Sequence, residues 1–138
     1  MPAKDIYHNN VITALEKDGW TITNDPLPLK IGKRTLSVDM GTEKLFAAEK
    51  QGRKIAVKVK SFVSASPVHD LEQAVGQYIL YEDILEQSEP ERIIYLAIRT
   101  EVYAQIFSEP IGQILLKNKR FKLIVFDSLK ETIVRWID

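Results

Sequence analysis

Between Asp5 and Asp18, apolar residues at Ile6, Tyr7, Val11, Ile12 and Leu15 recur at helical spacing, and Gly19 follows as a stop. Trp20–Asn24 then alternates as a short strand, which Asp25-Pro26-Leu27-Pro28 breaks because proline cannot donate to a sheet ladder. Thr35–Met40 also alternates, with Leu36, Val38 and Met40 on one face and Thr35, Ser37 and Asp39 on the other; Gly41 invites a bend. Leu45–Lys50 and Ile55–Phe62 are the arms of a hairpin closed by Gln51-Gly52. Ser66-Pro67 supplies an N-cap and a proline at the first helical position, and Leu71, Ala74, Val75, Tyr78 and Leu85 trace the apolar stripe of a helix reaching Gln87.

Past Pro90, Ile93–Ile98 is almost wholly apolar, the mark of a strand covered on both faces, and therefore of a central strand paired in parallel. Helical pieces at Glu101–Phe107 and Ile111–Asn118 flank Glu109-Pro110, and the strands Phe121–Phe126 and Thr132–Ile137 close the chain around a turn at Asp127–Lys130. The pattern predicts an α/β (α+β) architecture, a central mixed sheet flanked by helices, in one domain spanning residues 1–138.

Composition narrows the chemistry. Lys plus Arg and Asp plus Glu both total 19, so no global field draws the protein to nucleic acid, and DNA binding would need a local patch. The absence of cysteine excludes thiol catalysis, thiolate metal sites and a disulfide framework, and suits a reducing cytoplasm. His8 and His69 alone cannot build a multi-histidine zinc site, and are expected on helix surfaces or caps. No apolar run approaches a membrane span, and the first residues do not read as a signal peptide; the expected location is the cytoplasm.

Candidate chemistry centres on the strand Ile55–Phe62, where the two-residue period puts Ala56, Lys58 and Lys60 on one face. Counting inward from a two-residue turn pairs Lys50 with Arg53, Glu49 with Lys54, Leu45 with Lys58 and Glu43 with Lys60, leaving Asp39 just beyond the strand's carboxyl end. An acid, a hairpin, then an acid-x-Lys strand followed by a helix resembles the PD-(D/E)XK nucleases over Val38 to Tyr81. That resemblance implies a restriction-endonuclease-like three-layer fold, in which two carboxylates hold Mg²⁺ and the lysine orients the attacking water.

Asp39 matches the first acid and Lys60 the lysine, but Lys58 stands where the second acid belongs. An ammonium removes an oxygen ligand and repels the cation; at about 4 Å and an effective dielectric near 20, such a contact costs about 4 kcal/mol. Glu43, opposite Lys60, is the better substitute ligand, because Glu49 would lie about 13 Å along the strand; Glu16 on the first helix is either a third acid pointing at the cleft or part of a solvated face, the latter being the plainer account. A carboxylate at position 58, with Asp39 and the Val59 carbonyl, would complete an octahedral Mg²⁺ site. Gln73, Gln77 and Tyr81 share one face of the following helix, and Gln77-x-x-x-Tyr81 resembles the extra motif of RecB-like nucleases.

Longer strings carry a closer resemblance: Met1 to His8, Asp18 to Thr23, Ile55 to Phe62 and Gly76-Gln77-Tyr78. These are similar to the XisH family along nearly the whole chain. Members look like small controlling factors for programmed excision of a DNA element in cyanobacteria, acting beside a recombinase and an XisI partner protein. The family pattern has glutamate at the position of Lys58. The resemblance implies an excision controlling factor that binds DNA or a partner protein on a nuclease-like scaffold with a degenerate site formed by Asp39, Lys58, Lys60 and Gln77, with Asp39 and Glu43 as residual metal ligands.

Two other classes compete with that reading: an active Mg²⁺-dependent endonuclease recruiting Glu43 or Glu16, and a protein-only interaction module. Self-association as a homodimer is also expected, since zero net charge offers little repulsion. A plainer structural account of the lysines puts them on the solvated face of a half-exposed hairpin, of Asp39 at a bend, of the glutamines on a polar helix rim, and of Trp20 and Trp136 as packing anchors.

Overall fold

The computed structural model describes residues 6–35 and 45–138. In chain order these hold α1 (His8–Lys17), β1 (Thr21–Asn24), β2 (Lys30–Ile31), β3 (Arg34–Thr35), β4 (Leu45–Lys50), β5 (Arg53–Val59), α2 (Pro67–Ser88), β6 (Arg92–Arg99), α3 (Thr100–Gln105), α4 (Pro110–Lys117), β7 (Leu123–Asp127) and β8 (Thr132–Ile137). Most of the strand predicted at Thr35–Met40 lies outside the described residues. The two-residue pairing of β2 with β3 was not legible, since a ladder this short leaves no periodicity.

Six strands form one sheet in the order β1-β4-β5-β6-β7-β8. Pairing is parallel from β5 through β7 and antiparallel at both sides, so the sheet is mixed and β6 is central, as its apolar run predicts. The β4–β5 register agrees with the count from the turn, setting Lys50 against Arg53, Glu49 against Lys54 and Leu45 against Lys58. The turn works because Gln51 and Gly52 both take positive φ, 50° and 80°, whose twist matches that of the strands.

Strand alternation builds two cores. Leu45, Ala47, Ala56, Ile94, Leu96, Ile98, Leu123 and Val125 face α2, α3 and α4, while Phe46, Ile55, Val57, Val59, Tyr95, Ile124 and Phe126 face α1. The result is three layers, with three helices over one face of the sheet and α1 over the other. Three helices share a face because both parallel crossovers, β5 to β6 and β6 to β7, progress in one direction across the sheet and take the same hand.

Trp20 and Trp136 pack ring to ring at 5.5 Å, as anchors of the α1 side. His8 corrects the expectation of a helix-surface histidine. It is buried, its Nε2 lies 2.9 Å from Asp25 Oδ1, and its ring meets Phe46 edge-on. The Asp25 side chain supplies the polar partner that such burial requires. Glu16 is exposed, on the solvated face of α1.

Candidate functional site

Lys58 follows Ala56 on the face that β5 turns toward α2, flanked by Leu45 on β4 and Leu96 on β6. The plain account of a solvated lysine pair therefore fails: Lys58 is 2% exposed and Lys60 8%. The period of two gave the correct face, but α2 packs over that face and closes it. Moving an ammonium into such surroundings costs several kcal/mol unless hydrogen bonds compensate. Lys58 Nζ donates to the Val59 carbonyl at 3.0 Å, and Lys60 Nζ donates to Gln73 Oε1 on α2 at 3.1 Å.

β5 ends at Val59 rather than at Phe62, where φ reaches +54°, outside strand geometry. Lys60 remains docked nonetheless, because its backbone N–H donates to the Ala97 carbonyl. One step on, Arg99 donates from Nη2 to the Ser61 carbonyl at 2.9 Å while its guanidinium lies 4.8 Å from the centre of the Tyr7 ring. Arg99 thus fixes the exit of β5. Sequence reasoning passed over it, although the parallel pairing of Val59 with Ala97 brings residue 99 beside residue 61.

The loop that follows is also held. Ser64 donates from its backbone N–H and its Oγ to the buried Asp70 carboxylate, at 3.2 and 2.8 Å, and Ser66 Oγ caps α2 by accepting from His69 N–H. Asp70 sits in the first turn of α2, where the helix dipole favours a negative charge. These bonds set the angle at which α2 carries Gln73 and Gln77 over the sheet. Gln77 contributes a buried Oε1 that has no hydrogen-bond partner among the described residues. A cleft of about 180 Å³ opens beside the strand exit, lined by Phe62, Pro67, Arg99, Glu101 and Val102 among others.

The structure therefore brings Lys60 and Gln73 into contact beside Lys58, at the carboxyl ends of the parallel strands, where open α/β sheets bind ligands. Asp39 and Glu43, the carboxylates expected to complete a Mg²⁺ site, lie outside the described residues. Among the described residues no three His, Cys, Asp or Glu side chains cluster as metal ligands. Among the described residues an ammonium is a poor neighbour for a divalent cation: Lys58 Nζ is buried here and donates to the Val59 carbonyl, occupying that backbone oxygen.

A mixed six-stranded sheet between one helix and three defines an α+β scaffold, with a lysine pair buried at the ends of its parallel strands. The family model for XisH protein matches residues 1–134, and the chain belongs to that family.

Two crystal structures share the fold. One is an XisH family protein from Nostoc punctiforme PCC 73102, 39% identical with a TM-score of 0.88 over 97% of this chain and 100% of that one. The other is an fdxN element excision controlling factor protein from Anabaena variabilis, 40% identical with a TM-score of 0.88 over 97% of this chain and 99% of that one. No curated protein matches the chain. Among the described residues no helix is long and apolar enough to cross a membrane.

Proposed function

We propose that the chain is a controlling factor for DNA-element excision, as its Anabaena variabilis relative is named, and that it works by binding DNA or a partner protein on a nuclease-like scaffold rather than by cutting DNA. The observation that carries this reading is the ammonium of Lys58, buried and 3.0 Å from the Val59 carbonyl. In a metal-dependent nuclease that carbonyl and the carboxylate beside it are cation ligands. Here a side-chain cation, covalently fixed, takes the place of the ion, and its one positive charge cannot lower the pKa of a water as a divalent metal does. Burial of Lys58 and Lys60 also removes them from the set of cations that reach a DNA phosphate directly.

The test pairs calorimetric titration of Mg²⁺ and Mn²⁺ with incubation on supercoiled plasmid, for the protein as it stands and for Lys58→Glu. The expected outcome is no metal binding and no nicking for the former, and measurable divalent-cation binding for the variant. Tight Mg²⁺ binding and cleavage by the unaltered chain refute the proposal. The salt dependence of any DNA binding then separates the two modes, because phosphate contacts lose affinity steeply with salt.

A further inference from the structure

Helix α2 has an outward face that the other described residues leave exposed. Its buried side is Leu71, Ala74, Tyr78, Tyr81 and Leu85. On the opposite side, at helical spacing, lie Glu72, Gly76, Ile79, Leu80 and Asp83, with Ile79 40% and Leu80 47% exposed. Gly76 is the informative residue. A mid-helix glycine is a much poorer helix former than alanine, and among the described residues nothing lies within 4 Å of where its Cβ would stand. Packing among the described residues therefore gives no reason for it. A glycine one turn before two exposed aliphatic side chains makes a notch that admits close approach by another element.

The occupant is indicated by charge. Glu72 and Asp83 border the notch, so nucleic acid and a second α2 are both repelled. The same layer of the molecule carries the complementary surface: α4 exposes Ile111 and Ile114, the latter 57% exposed, and runs into the exposed Lys117, Lys119 and Arg120. α2 and α4 cover the same face of the sheet, through Leu71 and Tyr78 on one and Leu115 and Leu116 on the other. Two copies related by a two-fold axis can thus seat α2 of each on α4 of the other, an isologous arrangement in which every contact occurs twice.

We propose that the chain forms a homodimer through this reciprocal α2–α4 contact, with the Gly76 notch at its centre and acidic and basic rims in register. Sedimentation velocity of the full chain across the micromolar range is expected to show a monomer–dimer equilibrium that weakens with salt. Gly76→Leu is expected to raise the melting temperature of dilute protein by about 3 °C, because leucine is the better helix former, while raising the dissociation constant about tenfold or more.

The decisive test uses two charge reversals, Glu72→Lys with Asp83→Lys, and Lys117→Glu with Lys119→Glu. Neither variant associates with itself, because each brings like rims together, but a mixture of the two forms a heterodimer in which both contacts are complementary. A chain monomeric at every concentration overturns the proposal, and so does a dimer indifferent to Gly76→Leu. Undiminished self-association of the Lys117→Glu, Lys119→Glu variant overturns it too, since the contact would then not involve α4.

Discussion

Tyr78 decides whether α2 is held to the sheet by polar bonds as well as by apolar contact, and Tyr78→Phe isolates the two contributions. Its hydroxyl is buried between elements; it donates to the Ile94 carbonyl of β6 at 3.2 Å and accepts from the Lys122 N–H, just before β7, at 3.0 Å. One oxygen thus ties α2 to two segments. Replacing tyrosine with phenylalanine keeps the ring and its edge-on contact with Phe121 at 5.2 Å, but leaves a donor and an acceptor to find other partners.

Removing one side of a buried hydrogen bond costs about 1–3 kcal/mol, so the variant is expected to lose about that much stability. An unfolding entropy of about 2.1 cal/mol/K per residue makes the loss about 0.3 kcal/mol per degree for this chain of 138 residues, a fall in Tm of about 3–10 °C. Urea unfolding followed by circular dichroism and tryptophan fluorescence measures it, with an unchanged denaturant slope as the sign that only stability has moved. Tyr78→Leu, which also removes the ring, is expected to lose about 3–5 kcal/mol. A phenylalanine variant within about 0.5 kcal/mol of the parent would refute the reasoning, since the two bonds would then contribute nothing net.

Alkaline pH should unfold the protein in a defined window. Burial, then the 2.6 Å bond to Asp138, pushes the Tyr95 phenol up to about 12 from its ordinary 10.0, and burial raises Tyr78 as well. Both phenols are neutral in the fold and ionise first in the unfolded chain, so their contribution is complete below about pH 10 and is lost as pH rises toward 12. Phenolate absorbance should therefore rise together with loss of circular dichroism; five tyrosines titrating near pH 10 with the native spectrum intact would contradict this. Gly112→Ala should destabilise despite alanine's helix propensity, because its Cβ would run into the Ile106 carbonyl oxygen and stand 2.6 Å from Phe107 Cα. Backbone must shift to admit it, at a cost of about 1–3 kcal/mol, and a raised Tm would show the contact to be soft.

Much of the architecture is local and was readable as such. The Ser66-Pro67 start of α2, the Gln51-Gly52 turn and the β4–β5 register each follow from a few adjacent residues whose backbone preferences agree. The apolar run that became β6 carries its own burial on both faces, and so announced a central parallel strand. Two segments were harder: the β2–β3 ladder is too short to show a period, and β5 stopped three residues early where Phe62 adopts positive φ.

The sequence by itself determined that Lys58 and Lys60 share a strand face and that Gln73 and Gln77 share a helix face. Only the tertiary structure decided what those faces meet. Whether a lysine face is solvated depends on which side of the sheet the crossover helix covers, a relation between residues far apart in the chain that no period records. α2 covers the lysine side, so two side chains that periodicity alone would leave in water are buried, and one of them finds Gln73. The same holds for His8, whose partner Asp25 lies 17 residues away, and for Arg99, whose carbonyl partner lies 38 away. Hydrophobic pattern fixes which surfaces turn inward; it is the packing of distant elements, and the requirement that buried polar atoms be bonded, that selects their partners.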